Sequence, residues 1–186
     1  MTKMLFTFAA LLFAAIPAHA QSDHPKAELY GGYSYYSADI NTNNPFSARE
    51  REGAHGVAFS GAAYFNRYFG AVADFSYHQK DLSGTGLHFS TFNFLFGPRL
   101  TARGNRVEGF AHALVGGVRR KLESFESETD FAVGVGGGVD VKLSRDFAVR
   151  LVQVDYIPFR EKDPFTGTTD WRHNLRVGVG VTFRLH

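Results

Sequence analysis

The chain has 186 residues, of which 44% are apolar, 20% charged and 15% aromatic, with 19 Phe, 20 Gly, 6 Pro and no Cys. That length allows one domain of ordinary size, and the apolar fraction is too high for a disordered chain. A formal charge of +2 gives no excess with which to grip a polyanion, which excludes nucleic acid as a partner. The absence of cysteine removes disulfide scaffolds, thiolate zinc sites and cysteine nucleophiles together.

Residues 1–20 read as an address. Lys3 precedes the apolar run Met4 to Ile16, and Pro17 leads to the small-x-small ending Ala18-His19-Ala20. This is the pattern of a secretory signal peptide cleaved after Ala20, which leaves residues 21–186 as the mature domain. No later stretch approaches the ~18 uninterrupted apolar residues of a spanning helix. A mature chain that crosses a membrane must therefore cross it as strands.

From Ala27 onward the sequence alternates with period two and offers no amphipathic helix. The first strand, Ala27 to Ala38, carries apolar residues on both faces, so its facing stays open. Val57, Phe59, Gly61, Ala63 and Phe65 form one apolar face before Asn66-Arg67-Tyr68; Phe69, Ala71, Ala73, Phe75 and Tyr77 form the next after it. Phe92, Phe94 and Phe96 oppose Thr91, Asn93, Gly97 and Arg99 on a fourth strand, and the fifth, Val107 to Arg120, again has no clear facing. In the sixth, Phe131 to Leu143 alternate with Ala132, Gly134, Gly136, Gly138 and Asp140. The seventh, Phe147 to Phe159, changes phase, and a one-residue β-bulge near Leu151-Val152 would restore a single apolar face. The last sets Leu175, Val177, Val179, Val181, Phe183 and Leu185 against Asn174, Arg176, Gly178, Gly180, Thr182 and Arg184.

Short turns at 66–68, 102–105 and 144–146 alternate with longer polar loops at about 39–54, 79–86, 121–129 and 160–172. This asymmetry predicts an all-β, eight-stranded, antiparallel, up-and-down transmembrane β-barrel with short periplasmic turns and longer extracellular loops. An even strand number puts both termini in the periplasm. The polar face is rich in small residues that suit the inside of a narrow barrel, and the Phe-rich face suits lipid. The competing architecture is a soluble periplasmic barrel that turns its apolar face inward around an apolar ligand.

The YGGYSYY opening (Tyr30 to Tyr36), GPRLTAR (Gly97 to Arg103), VGVGGGVDVKLSRDFAVRLVQVDY (Val133 to Tyr156) and the closing NLRVGVGVTFRL (Asn174 to Leu185) resemble the OmpA-like outer-membrane β-barrel domain of Gram-negative bacteria. The likeness spans essentially the whole mature chain. It implies a bacterial outer-membrane location, with membrane lipid and lipopolysaccharide as surroundings. It also implies that the last strand addresses the barrel-insertion machinery, where the family ordinarily closes on an aromatic residue; here Leu185 and His186 follow Phe183.

Chemistry-bearing residues are few. His88 and Ser90 lie two apart on one face of the fourth strand, with Glu108 on the next strand as a conceivable third member of a hydrolytic set acting on lipid A. A single H-x-S in a chain with eight His is expected by chance, so no catalytic residues are assigned. His112 and His173 lack partners at metal-ligand spacing and read as a wall residue and a loop residue. The glycines from Gly134 to Gly138 fall on a strand and form no phosphate loop, so neither cofactor nor metal is expected. Tyr33, Tyr35, Tyr36, Tyr64, Tyr68, Tyr77, Tyr156 and Phe159 are placed at strand ends as interfacial girdles.

Counting outward from the turn at Ser144-Arg145-Asp146 sets Asp140 opposite Arg150, both inward; the next connection brings Asp155 towards Arg176, and Asp74 is a further inward charge. Asp74, Asp140, Arg150, Asp155 and Arg176 are thus expected to form a structural charge network in the lumen. The function expected is structural or surface-interactive and not enzymatic, with loops open to surface contacts. The alternatives are a narrow porin-like channel and a lipid A-modifying enzyme.

Overall fold

The computed structural model describes residues 24–40, 50–82, 87–122, 128–162 and 169–186, and side chains over 24–37, 53–79, 90–120, 129–160 and 172–186. The strands are β1 (Ala27–Ile40), β2 (Glu50–Tyr64), β3 (Phe69–Leu82), β4 (Leu87–Arg103), β5 (Val107–Leu122), β6 (Glu128–Lys142), β7 (Phe147–Tyr156), β8 (Phe159–Lys162), β9 (Thr169–Arg172) and β10 (Leu175–Leu185). Each strand from β1 to β6 pairs antiparallel with its successor, β7 pairs with β10, and β10 returns to β1. β8 continues the line of β7 and β9 leads into β10, so the ten segments make eight staves, and the ring of pairings from β1 through β7 and β10 back to β1 closes an antiparallel barrel.

Turn chemistry fixes the register at one end. The Asn66 side-chain carbonyl accepts from the backbone N–H groups of Tyr68 (2.8 Å) and Phe69 (2.9 Å), an Asx turn that reverses β2 into β3. Ser144 Oγ accepts from the Phe147 N–H at 3.1 Å and turns β6 into β7. In β7, Arg150 pairs with Asp140 and Val152 with Val139, so Leu151 is an extra residue without a ladder partner on either side. Leu151 and Val152 both face outward, and the bulge restores one apolar face to a stave whose sequence changes phase.

The distribution of side chains is inverted relative to a water-soluble protein. Phe59, Phe96, Phe131, Val135, Leu151 and Val181 stand exposed on the outer wall, while Asp74, Asp140, Arg150, Asp155 and Arg176 are almost wholly buried within. Only an apolar solvent rewards that arrangement, and a closed barrel satisfies its backbone there without water. The soluble periplasmic alternative is thereby overturned. β1 and β5, whose facing periodicity leaves open, send Tyr30, Ser34, Tyr36, Phe110, His112, Leu114 and Val118 inward.

Two expectations are corrected. The segments at 39–54, 79–86, 121–129 and 160–172 are not wholly loop: β1 continues to Ile40 and β2 starts at Glu50, β3 continues to Leu82 and β4 starts at Leu87, β5 continues to Leu122 and β6 starts at Glu128, and β8 and β9 form a short ladder. A ladder that has left the apolar layer no longer needs an apolar outer face, so period-two alternation of hydrophobicity stops before the pairing does. The aromatic girdle is also smaller than the sequence suggests. Tyr33, Tyr35, Tyr68, Tyr77 and Tyr156 face outward, but Tyr36 and Phe159 are buried inside and Tyr64 bonds Glu28 within the lumen.

Candidate functional site: the barrel lumen

The lumen is built in layers. Near the short turns, Glu28 of β1 lies 3.4 Å from Arg99, 3.1 Å from Arg103 and 3.8 Å from Arg184, and accepts from the Tyr64 hydroxyl at 2.8 Å. Glu108 of β5 meets Arg103 at 3.2 Å, Lys142 at 2.9 Å and the Arg184 guanidinium. Arg99 continues the chain of contacts inward to Asp140, 3.8 Å away.

At mid-height, Arg150 holds Asp140 through two parallel bonds, Nε to Oδ1 at 2.8 Å and one terminal nitrogen to Oδ2 at 3.0 Å. Its other terminal nitrogen donates to Gln153 Oε1 at 2.7 Å, and Gln153 donates to Asp155 at 2.8 Å. Asp155 accepts two bonds from Arg176, at 2.9 and 2.7 Å, and its second oxygen lies 2.7 Å from His112 Nε2. Arg176 then crosses from β10 to β3, where it donates to Asp74 Oδ1 at 2.6 Å and Ser76 Oγ at 2.9 Å. All five residues expected in the lumen are brought into one connected set, and Asp140 is the link to the cluster by the turns. Arg150 meets Asp140 in fork-to-carboxylate pairing, and Arg176 brings two N–H donors to one oxygen of Asp155 and a third to Asp74, arrangements that suit guanidinium and not ammonium.

Aromatic rings complete the layer. The Arg150 guanidinium carbon lies 4.1 Å from the Tyr30 ring centroid and 4.2 Å from that of Phe110, and Arg99 lies 3.8 Å from Phe110. The inward glycines make the floor on which these rings rest. A Cβ at Gly138 would stand 2.8 Å from the Phe110 ring, and one at Gly180 would stand 2.8 Å from the Tyr30 ring. Glycine on the polar face therefore marks large rings laid over it from the neighbouring strand, Phe110 of β5 over Gly138 of β6 and Tyr30 of β1 over Gly180 of β10, and not an empty bore.

Towards the long loops the filling becomes apolar. Leu95, Leu114, Val118, Ala132, Ile157 and Phe159 pack with Tyr36 into one buried cluster. His78 sits against it, bonded to Ser34 Oγ at 2.9 Å with its ring 5.0 Å from that of Tyr36.

Sequence reasoning misses Glu28, Arg99, Arg103, Glu108 and Arg184 as lumen charges. Arg99 and Arg184 are visible on the polar phases of β4 and β10; Glu28 and Glu108 are hidden because the facing of β1 and β5 cannot be read. The hydrolytic set does not assemble. The His88 side chain lies outside the described residues. Ser90 pairs with Lys121 while Glu108 pairs with Arg103, which puts Glu108 thirteen positions further along β5, about 43 Å at ~3.3 Å per residue, and inside the lumen. His112 lies on the wall strand β5 and faces the lumen, and His173, between β9 and β10, bonds the Tyr156 hydroxyl at the outer surface. Among the described residues no group of His, Asp and Glu has the arrangement of a metal site.

The architecture is shared with solved barrels. Neisserial surface protein A superposes with a TM-score of 0.69 at 10% identity, covering 88% of this chain and 100% of that one. Ail, the attachment invasion locus protein of Yersinia pestis, gives 0.59 at 14% identity, covering 87% and 99%. OprG from Pseudomonas aeruginosa gives 0.56 at 11% identity, covering 88% and 98%. No curated protein matches the sequence. The model of the outer membrane protein beta-barrel domain matches residues 6–183, nearly the whole chain, and with the closed barrel and its lipid-facing wall it shows that this protein belongs to that family of bacterial outer-membrane barrels.

Proposed function

We propose that the protein is a structural and surface-presenting barrel whose lumen is sealed by its own side chains, and that it is neither a pore nor an enzyme. The observation that carries this reading is the packing of Arg150 against Tyr30 and Phe110 while its guanidinium is engaged by both Asp140 and Gln153. A solute would have to displace a guanidinium from a bidentate carboxylate and push a pair of rings aside at once. In this reading the signal peptide ends at Ala20, both termini and the short turns lie in the periplasm, and the last strand engages the insertion machinery. The extended ends of β1 to β6, with their loops, stand among lipopolysaccharide and face the exterior. Neisserial surface protein A and Ail are, by name, surface and attachment proteins. A surface role is extended to this chain because its strands outrun the membrane: β4 has 17 residues, whereas ~9–11 suffice to cross.

The test joins location, barrel and bore. Membrane-extracted protein should migrate differently before and after boiling in dodecyl sulfate, should begin at Gln21, and should give no stable conductance in planar bilayers. Reproducible conductance would promote the narrow-channel reading. Incubated with lipopolysaccharide, the protein should leave the acyl chains intact, and release abolished by Ser90→Ala would instead establish an enzyme.

A further inference from the structure

Each of the three short turns carries one arginine at its tip: Arg67, Arg106 and Arg145, all with exposed side chains. None of the three makes a salt bridge among the described residues; the Arg67 guanidinium lies 5.9 Å from the Tyr68 ring. Asp146 is the one exposed carboxylate side chain at this end among the described residues, and it faces the His186 imidazole at 3.7 Å. The buried Glu28 and Glu108 are already satisfied by Arg99, Arg103, Arg184 and Lys142. The opposite end has the other balance, since the four long connections hold more Asp and Glu than Lys and Arg. The turn end is thus the cation-presenting end of the molecule.

The depth of these arginines is set by their neighbours. Phe65 and Phe69 flank the first turn, Val107 the second, and Leu143 and Phe147 the third, all strongly exposed on the lipid-facing wall. Each arginine is therefore within about two residues of the apolar layer's edge, which is where lipid phosphates lie, and its stem can run along apolar surface with the head in water. Turns this short cannot reach further from the membrane. That distinguishes the lipid surface from a polymer lying beyond it.

We propose that Arg67, Arg106 and Arg145 form a phosphate-binding ring that docks the barrel onto anionic phospholipid headgroups of the leaflet bordering the short turns. The inference rests on the membrane reading above, in which these turns face the periplasm. Guanidinium binds phosphate through paired N–H donors, and three such contacts around one rim would fix the barrel's height and oppose its tilting. Each contact is worth about fivefold in local enrichment of an anionic lipid at low salt, fading as salt rises.

The experiment uses the mature chain in nanodiscs of phosphatidylcholine mixed with phosphatidylglycerol, with retained lipids identified by native mass spectrometry. Heat-dependent gel migration is recorded first; a chain that gains no such barrel in nanodiscs overturns the membrane reading and this inference with it. For a folded barrel, the parent should retain phosphatidylglycerol in preference. The triple variant Arg67→Gln, Arg106→Gln, Arg145→Gln should lose that preference, the triple Lys variant should keep most of it, and Arg119→Gln at the far end should not alter it. Equal retention by parent and triple Gln variant overturns the proposal while leaving the barrel standing. Binding to purified peptidoglycan sacculi that the triple Gln variant loses, without any phospholipid preference, also overturns it and assigns the ring to that polymer.

Discussion

Arg150 occupies the place in the lumen where the most constraints meet. It is about 1% exposed, holds Asp140 bidentately, donates to Gln153 and lies against two rings. Truncating it alone leaves Asp140 buried with Arg99 at 3.8 Å as its remaining cation, and uncompensated buried charges cost about 3–5 kcal/mol. Removing Asp140 as well removes that charge. Urea unfolding in vesicles should therefore show Asp140→Ala and Arg150→Ala each lowering the midpoint, with the double variant less impaired than their sum and a coupling energy above about 1 kcal/mol. Additive deficits would mean that water reaches the pair. The position of this pair follows from counting away from one turn, because the strand period is regular enough for parity to survive several residues. The ring stack is not legible in the same way: Tyr30 and Phe110 sit on the two strands whose apolar residues populate both faces, so no periodicity announces which aromatic side chains turn inward.

At the scale of the strand, the bulge in β7 makes a sharper demand. Leu151 has no ladder partner in either neighbour, since Arg150 pairs with Asp140 and Gly180 while Val152 pairs with Val139. Deleting Leu151 preserves every other pairing and sends every other side chain to the face it already uses; it removes one lipid-facing leucine and the local excess of twist. The deletion variant should fold with a normal heat-dependent shift on gels. Deleting Val154 is a different matter, because it would turn Asp155, and with it the grip on Arg176 and His112, towards lipid or force the stave to slip. That variant should fail to reach the heat-modifiable form. The phase change in Phe147 to Phe159 is enough to place the bulge from sequence. The ends of the strands are harder to read, because outside the membrane the ladder persists on polar residues that look like loop.

Over the whole molecule, five buried carboxylates, Glu28, Asp74, Glu108, Asp140 and Asp155, are matched by five guanidiniums, Arg99, Arg103, Arg150, Arg176 and Arg184, among the described residues. The buried carboxylates and guanidiniums are therefore balanced and connected from Glu108 by the turns to Asp74 on the far wall, and the part-exposed Lys142 joins Glu108 at the rim. In the sealed-lumen reading proposed above, ions are stopped by matter and not by a net field, since eight strands leave a bore that side chains can fill. In the same reading the apolar cluster of Leu95, Leu114, Val118 and Ile157 adds a second barrier towards the loops, with the bonded pair His78 and Ser34 beside it. These two barriers act in series, so the consequences of breaching them are not equivalent. Tyr30→Ala with Phe110→Ala removes the rings that wedge Arg150 in place and uncovers Gly138 and Gly180, yet it leaves the apolar cluster intact. Planar-bilayer recordings of that variant should remain silent. Adding Leu114→Ser and Val118→Ser to it admits water to the second barrier, and brief cation- and anion-permeable openings are then expected, without strong selectivity because the lumen charges cancel. Steady conductance from the ring variant alone would show that the apolar cluster does not close the bore, and the Arg150 layer would then be the whole of the seal.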